Sequence, residues 1–320
     1  MNKPTGKHFW PAMDSHVDLI YDLLRHHPDR ALNDLPDAWV TFPKMMEGGI
    51  RAFVSVYYIP DSYNGAGRSA DHLRYLTGYA EKYLPDLNYV RSAGELAAAF
   101  QGPGPPGALL LLENADPLLE YPPEALKGLG FHAVGLTHVG RNRIACGNAV
   151  EEPEGLTSAG RELVAELHRL GFAIDTAHLS EPSFREVADL FPGPLLSSHT
   201  GFREFNDFPR NLSHEQIQTI ISRQGIIGMA AAPGMISDDP KVGINHVFSQ
   251  IDWFVQKYGV DGIAIGSDMG GYDGTCHGFN DHRDFPALAE LLSGAGYPDD
   301  AVAAIMGGNW FRFFSRLLTP

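Results

Sequence analysis

A single (β/α)8 barrel is the fold the sequence predicts. Two observations carry the barrel: eight apolar, strand-like runs recur along the 320 residues, and helical patterns with physical start and stop signals lie between them. Strands joined through helices need crossover connections, and eight such units in one chain favour a closed parallel barrel over a doubly wound sheet. No Ser-, Gly- or Pro-rich linker divides the composition, so residues 1–320 read as one domain. The interval 59–106 is long enough for extra helices, and 269–320 reads as C-terminal helices.

The strand-like runs are 12–20 (AMDSHVDLI), 49–58 (GIRAFVSVYY), 107–113 (GALLLLE), 133–138 (AVGLTH), 172–178 (FAIDTAH), 194–199 (PLLSSH), 226–231 (IIGMAA) and 262–268 (GIAIGSD). The clearest helix is 158–170, where Leu163, Val164, Leu167 and Leu170 form one apolar stripe, Ser158 is the expected N-cap and Gly171 supplies the left-handed stop. Ser213 with Gln216, and Ser92 with Glu95, have the spacing of capping boxes that open two further helices.

Lys plus Arg (24) against Asp plus Glu (39) leaves a net charge of −15, which repels phosphate backbones and anionic lipid surfaces; neither nucleic acid nor membrane is an expected partner. Two cysteines, Cys146 and Cys276, cannot build a disulfide framework or a four-thiolate zinc site, and both are expected as free thiols. The segment MNKPTGKHFWPAMDSH lacks the apolar stretch of a signal peptide, and no run approaches the roughly 18 apolar residues of a membrane span. A cytoplasmic location is the expectation.

The residues able to carry chemistry sit at one end of the strands. In the first run, side-chain alternation puts His16 and Asp18 on the same side; alone, the pair also fits a buried His bonded to an Asp. Glu113 ends a run of four leucines, where an ionised carboxylate must meet a cation or a dense set of donors. Successive runs then end in His138, His178 and His199, and unrelated core histidines have no reason to share the C-terminal rim where barrel active sites sit. Asp268 closes the eighth run; as a single residue it would also serve as a cap or turn.

Imidazole and carboxylate ligands suit Zn²⁺, and a bridging carboxylate such as Glu113 can hold two ions ~3.5–4 Å apart. Two such ions acidify a shared water and make a hydroxide nucleophile without any serine or cysteine, and Asp268 can move its proton to a leaving amine. The chain has no G-x-S-x-G elbow, phosphate loop or H-E-x-x-H to compete with this reading.

The segments DSHVDL, GGIRAFVSVYY, LLLENADPL, VGLTHVGRNR, EEPEGLTSAGRELVAELHRLGFAIDTAHLSEPSF, SSHTGFR, PRNLSHEQI, GIAIGSDMGG and GGNWFRFF, in this order, resemble the membrane (renal) dipeptidase family of the amidohydrolase superfamily, particularly its soluble bacterial members. The resemblance implies two Zn²⁺ per chain, one held by His16, Asp18 and Glu113, the other by Glu113, His178 and His199. It implies further that His138 bonds the substrate carbonyl or oxyanion, that Asp268 shuttles the proton, and that Arg210 clamps the substrate's C-terminal carboxylate. Tyr57 matches a tyrosine lining the family's substrate pocket, with Tyr58 beside it as the other tyrosine able to face inward.

The implied activity is hydrolysis of dipeptides, including those pairing an L-residue with a D-configured C-terminal residue, and the implied assembly is a homodimer. Another small amide, such as an N-acyl amino acid or a lactam, is the second reading, and a catalytically silent binding barrel the third. Asn114-Ala115-Asp116 and Gly270 depart from the family pattern without removing a ligand.

Overall fold

The computed structural model describes residues 10–274 and 276–319; the stretch 1–9, at the start of the segment that lacks a signal-peptide pattern, lies outside them. Eight parallel strands form the barrel: β1 (Ala12–Val17), β2 (Ile50–Tyr58), β3 (Gly107–Glu113), β4 (Phe131–Gly135), β5 (Ala173–Asp175), β6 (Leu195–Thr200), β7 (Ile226–Met229) and β8 (Ile263–Ile265). Each pairs with the next, and β8 returns to β1 through Asp14 and Ile265, so the sheet closes on itself as predicted. A two-residue strand, Asn88–Tyr89, leans on the start of β3.

Alternation along the strands decides what the barrel encloses. In β2, Ala52, Val54 and Val56 join the inner cluster while Phe53 and Tyr57 pack outward among the helices; in β3, Leu109 and Leu111 point in and Leu110 and Leu112 point out. Glu113 therefore continues the inward register 109, 111, 113. Trp310, Phe313 and Phe314, from the helix Asn309–Leu317, pack against the early strand residues Met13, Ala52, Leu109, Ala173 and Ile226. That end of the barrel is filled with apolar side chains, which leaves the other end for polar chemistry.

The insertion carries the expected helices, Arg68–Tyr83 and Ala93–Gln101. Both predicted capping boxes form, Ser92 with Glu95 and Ser213 with Gln216. The helix Ser158–Arg169 is capped by Thr157 rather than Ser158: the Thr157 hydroxyl accepts from the Gly160 amide at 3.0 Å, so Ser158 is the first helical residue. Several runs end as strands earlier than their apolar pattern suggests. His138, His178 and Asp268 lie beyond β4, β5 and β8, and His178 and Asp268 have left-handed backbones, φ 66° and 64°. A side chain that must leave the ladder to face a common centre accepts that conformation at a cost of order 1–3 kcal/mol.

The residues after Glu113 brace the same rim. Asn114, at φ 74°, donates to the carbonyl of Ile59 and to the Asn64 side chain, both at 2.8 Å. Burial alone would raise the Asp116 carboxyl, but hydrogen bonds from the Arg143 guanidinium, the Gly65 and Arg143 amides and the Ser69 hydroxyl hold it down to about 2. Both cysteines are free and buried, and burial pushes the Cys276 thiol up to about 12, far from a reactive thiolate. No helix among the described residues is long and apolar enough to cross a membrane.

Candidate metal centre

At the C-terminal ends of the strands a cavity of about 170 Å³ is lined by Asp18, Glu113, His138, His178, His199 and Asp268, with Tyr21, Tyr58 and Gly271. His16 closes it from below, fully buried. Its Nε2 lies 3.4 Å from Asp18 Oδ2, 3.8 Å from Glu113 Oε2 and 4.0 Å from Asp268 Oδ1. The other oxygen of Glu113 lies 2.9 Å from His178 Nε2, which is 3.2 Å from His199 Nε2. Larger clefts exist, one of about 730 Å³ between Gln218 and Arg316, but it lies at the opposite end and gathers none of the predicted site residues.

The local chain explains these positions. Asp18 follows β1 directly, at the N-cap position of the helix Leu19–His26, and its amide donates to the Met269 carbonyl at 2.9 Å. The Asp268 amide donates in turn to the His16 carbonyl at 3.0 Å. Asp14, inside β1, accepts from the Ser267 amide at 2.8 Å and from its hydroxyl, and faces His282 Nε2 at 3.1 Å. These contacts zip the β1 and β8 ends together and fix Asp268 beside His16.

Electrostatically the groups of the centre perturb one another strongly. Burial lowers an isolated imidazole, yet the carboxylates of Asp18, Glu113 and Asp268 overcome that and push His16 up to about 9. Burial, reinforced by Asp18, drives Asp268 well above the usual carboxylate range, and burial raises Asp18 too. Glu113 goes the other way, since His178, His16 and His138 outweigh its burial. His178 and His199 are held well below the ordinary imidazole value by burial and by neighbouring positive groups, Arg210 among them.

These residues fit divalent metal ions. The buried Nε2 of His16 makes no hydrogen bond, and two Nε2 atoms, of His178 and His199, converge on one point beside Glu113. Glu113, His178 and His199 form one group able to hold an ion, and His16, Asp18 and Asp268 another, with Glu113 Oε2 facing the second group. Three carboxylates, Asp18, Glu113 and Asp268, are buried around the single raised imidazole of His16, a surplus of acidic groups that suits divalent cations.

His138 is partly exposed at the cavity wall, its Nδ1 3.1 Å from Asp61 Oδ2 and 3.2 Å from the Tyr58 hydroxyl. Arg210 is buried, donates from Nη2 to the His199 carbonyl at 2.7 Å, and leaves Nε without a partner. Among the described residues no carboxylate lies within ion-pairing distance of it, although Asp268 and Glu113 act on it at longer range. Tyr57 is not brought into the group. The inward register of β2 is 52, 54, 56 and 58, so Tyr57 points outward onto Phe131, ring centroids 4.8 Å apart, and Tyr58 takes the place at the cavity.

Asp61, Asp175 and Ser198 also belong to the centre, and the sequence pattern does not single them out. Asp175 carries a usable signal, an acid inside an apolar strand run, the criterion that singles out Glu113. Asp61 and Ser198 carry none, because a serine or an aspartate near a strand end is commonplace.

The model of the family described as membrane dipeptidase (peptidase family M19) matches residues 7–318. Among curated relatives, a dipeptidase of Aspergillus oryzae, aclJ, is 28% identical over 188 residues, 58% of this chain and 44% of that protein. A dipeptidase of Claviceps purpurea, tcpJ, is 27% identical over 187 residues, with the same shares of each chain. The chain thus aligns with less than half the length of these relatives. Among solved structures, a metallopeptidase from Rhodobacter sphaeroides, liganded with a phosphinate mimic of the dipeptide L-Ala-D-Ala, superposes with a TM-score of 0.88 at 23% identity, covering 97% of this chain and all (100%) of that one. A metallopeptidase described as dipeptidase AC gives 0.89 at 24% identity, covering 97% and 99%.

Proposed function

Because the chain belongs to the membrane dipeptidase family, peptidase family M19, we propose that it is a binuclear zinc dipeptidase that cleaves the single peptide bond of its substrate. The observation that carries this reading is Glu113, whose two oxygens face two separate donor groups, His178 at 2.9 Å and His16 at 3.8 Å. In the family's arrangement His16, Asp18 and Glu113 would hold one ion, a set supported by His16 Nε2 lying 3.4 Å from Asp18 and 3.8 Å from Glu113, and Glu113, His178 and His199 would hold the other. Bound there, two divalent ions supply Lewis acidity that makes water a nucleophile near neutral pH.

The chain's own residues do the rest. Asp268, at the cavity wall 4.0 Å from His16, accepts the proton of the attacking water and returns it to the leaving amine. Asp61 Oδ2, 3.1 Å from His138 Nδ1, orients that ring at the cavity wall, where the imidazole is placed to donate to the oxygen that gains charge in the transition state. Arg210 supplies a buried positive charge for the free C-terminal carboxylate of a dipeptide. Dipeptides ending in a D-residue belong in the substrate range, a reading supported by the dipeptide mimic held by the Rhodobacter structure.

A dipeptidase, unlike a general amidase, reads that carboxylate. Arg210→Met is expected to raise KM for a dipeptide roughly 100-fold, the size of a lost charged hydrogen bond, with a smaller change in kcat. The same variant should no longer distinguish a dipeptide from its C-terminal amide. Unchanged KM would remove Arg210 from substrate binding and favour another amide as substrate.

A further inference from the structure

Behind the centre, three groups converge on one hydroxyl. Ser198 Oγ lies 2.5 Å from Asp175 Oδ2, 2.8 Å from His16 Nδ1 and 3.0 Å from His199 Nδ1. His16, Asp175 and His199 have the spacing of a third metal-binding group, but the Ser198 hydroxyl already occupies the point on which their donor atoms converge.

The geometry points to Ser198 and Asp175 as positioning residues that set the imidazole tautomer in both halves of the metal centre. The inference rests on the metal reading above and adds what orients its ligands. A hydroxyl has one proton to give and two lone pairs to offer. Asp175 Oδ1 already accepts from the amides of Ala177 at 3.0 Å and Ser198 at 2.9 Å, so Oδ2 is the acceptor left for the Ser198 proton. With that proton committed, Ser198 Oγ can only accept from the two rings. His16 and His199 must then both donate from Nδ1, which leaves Nε2 as the metal-facing atom of each ring. One carboxylate, acting through one hydroxyl, prepares a ligand for each ion.

The surrounding backbone holds the serine in place. A Cβ at Gly228 or at Gly266 would overlap the Ser198 carbonyl oxygen, and the Ser15 hydroxyl donates to that same oxygen at 2.6 Å. Strands β1, β6, β7 and β8 therefore close around Ser198 with no room to shift.

Asp175→Asn tests the inference because it keeps shape and reverses polarity. The asparagine oxygen stays with the two amides, its NH2 group faces Ser198 Oγ, and the hydroxyl proton has to turn to a ring. At His199, 3.0 Å away, that proton is accepted on Nδ1, and the ring moves its own proton to Nε2, onto the metal-facing atom. On zinc-free protein labelled with 15N-histidine, His199 is expected as the Nδ1–H tautomer in the wild type and as Nε2–H in Asp175→Asn, the resonance being assigned by its loss in His199→Gln. In competition against a chromophoric chelator, zinc affinity at the His178–His199 side should fall about 10–100-fold in Asp175→Asn and in the smaller change Ser198→Ala.

An Nε2–H ring at His199 in the wild type, or zinc affinity unchanged in both variants, overturns the inference. The tautomer is read without zinc, so it decides the inference even if the wild type takes up no metal. That last outcome would instead defeat the metal reading.

Discussion

Asp268→Asn is expected to lower kcat on a dipeptide by about 10²–10⁴-fold while leaving both zinc ions bound. Asparagine keeps the volume and the left-handed backbone that Asp268 adopts at φ 64°, since Asn is among the few residues that tolerate it. What it loses is the ability to take a proton beside His16, 4.0 Å away. The measurement is kcat together with zinc content by elemental analysis on the same samples. Undiminished turnover would exclude Asp268 as the proton carrier, and lost zinc would make it a ligand first.

Glu113→Gln is expected to reduce zinc from about two ions per chain to fewer than one, and activity below detection. Gln preserves length and can still meet His178, but it removes the carboxylate whose two oxygens face both donor groups. Each half of the centre then loses a charged ligand at once. The rise in Tm that zinc gives the wild type should shrink correspondingly in the variant, because stabilisation by a ligand depends on how tightly the folded state binds it. Elemental analysis and thermal unfolding with and without zinc check both parts. Two ions retained in the variant would rule out a bridging role for Glu113.

Much of the barrel and of its polar rim is legible in the amino-acid sequence, for physical reasons. Barrel strands are buried on both faces, so LLLLE and its counterparts stand out as continuous apolar runs, and polar residues that end such runs have to be explained. His16, Asp18, Glu113, His178, His199, His138 and Asp268 stand out by that criterion, and the fold brings all of them to one rim. Strand ends are less legible, because His178 and Asp268 still read as part of an apolar run although their backbones have already turned.

Tyr57 shows a different limit. Two adjacent tyrosines in a strand always face opposite ways, and only the register counted from Ala52 says which one faces in. Ser198 and Asp61 are beyond the reach of sequence pattern because their part in the centre comes from contacts across the barrel, from β6 to β1 and from the insertion to the loop after β4.

Hydrolysis of a panel of L,L- and L,D-dipeptides, followed by released amino acid, tests the central claim most directly. The protein is assayed as isolated, after chelation, and after Zn²⁺ is restored, with metal content recorded in each sample. The account predicts cleavage that chelation abolishes and zinc recovers, at about two ions per chain. Cleavage that survives complete metal removal, or no cleavage of any dipeptide by protein carrying its full zinc, would contradict it.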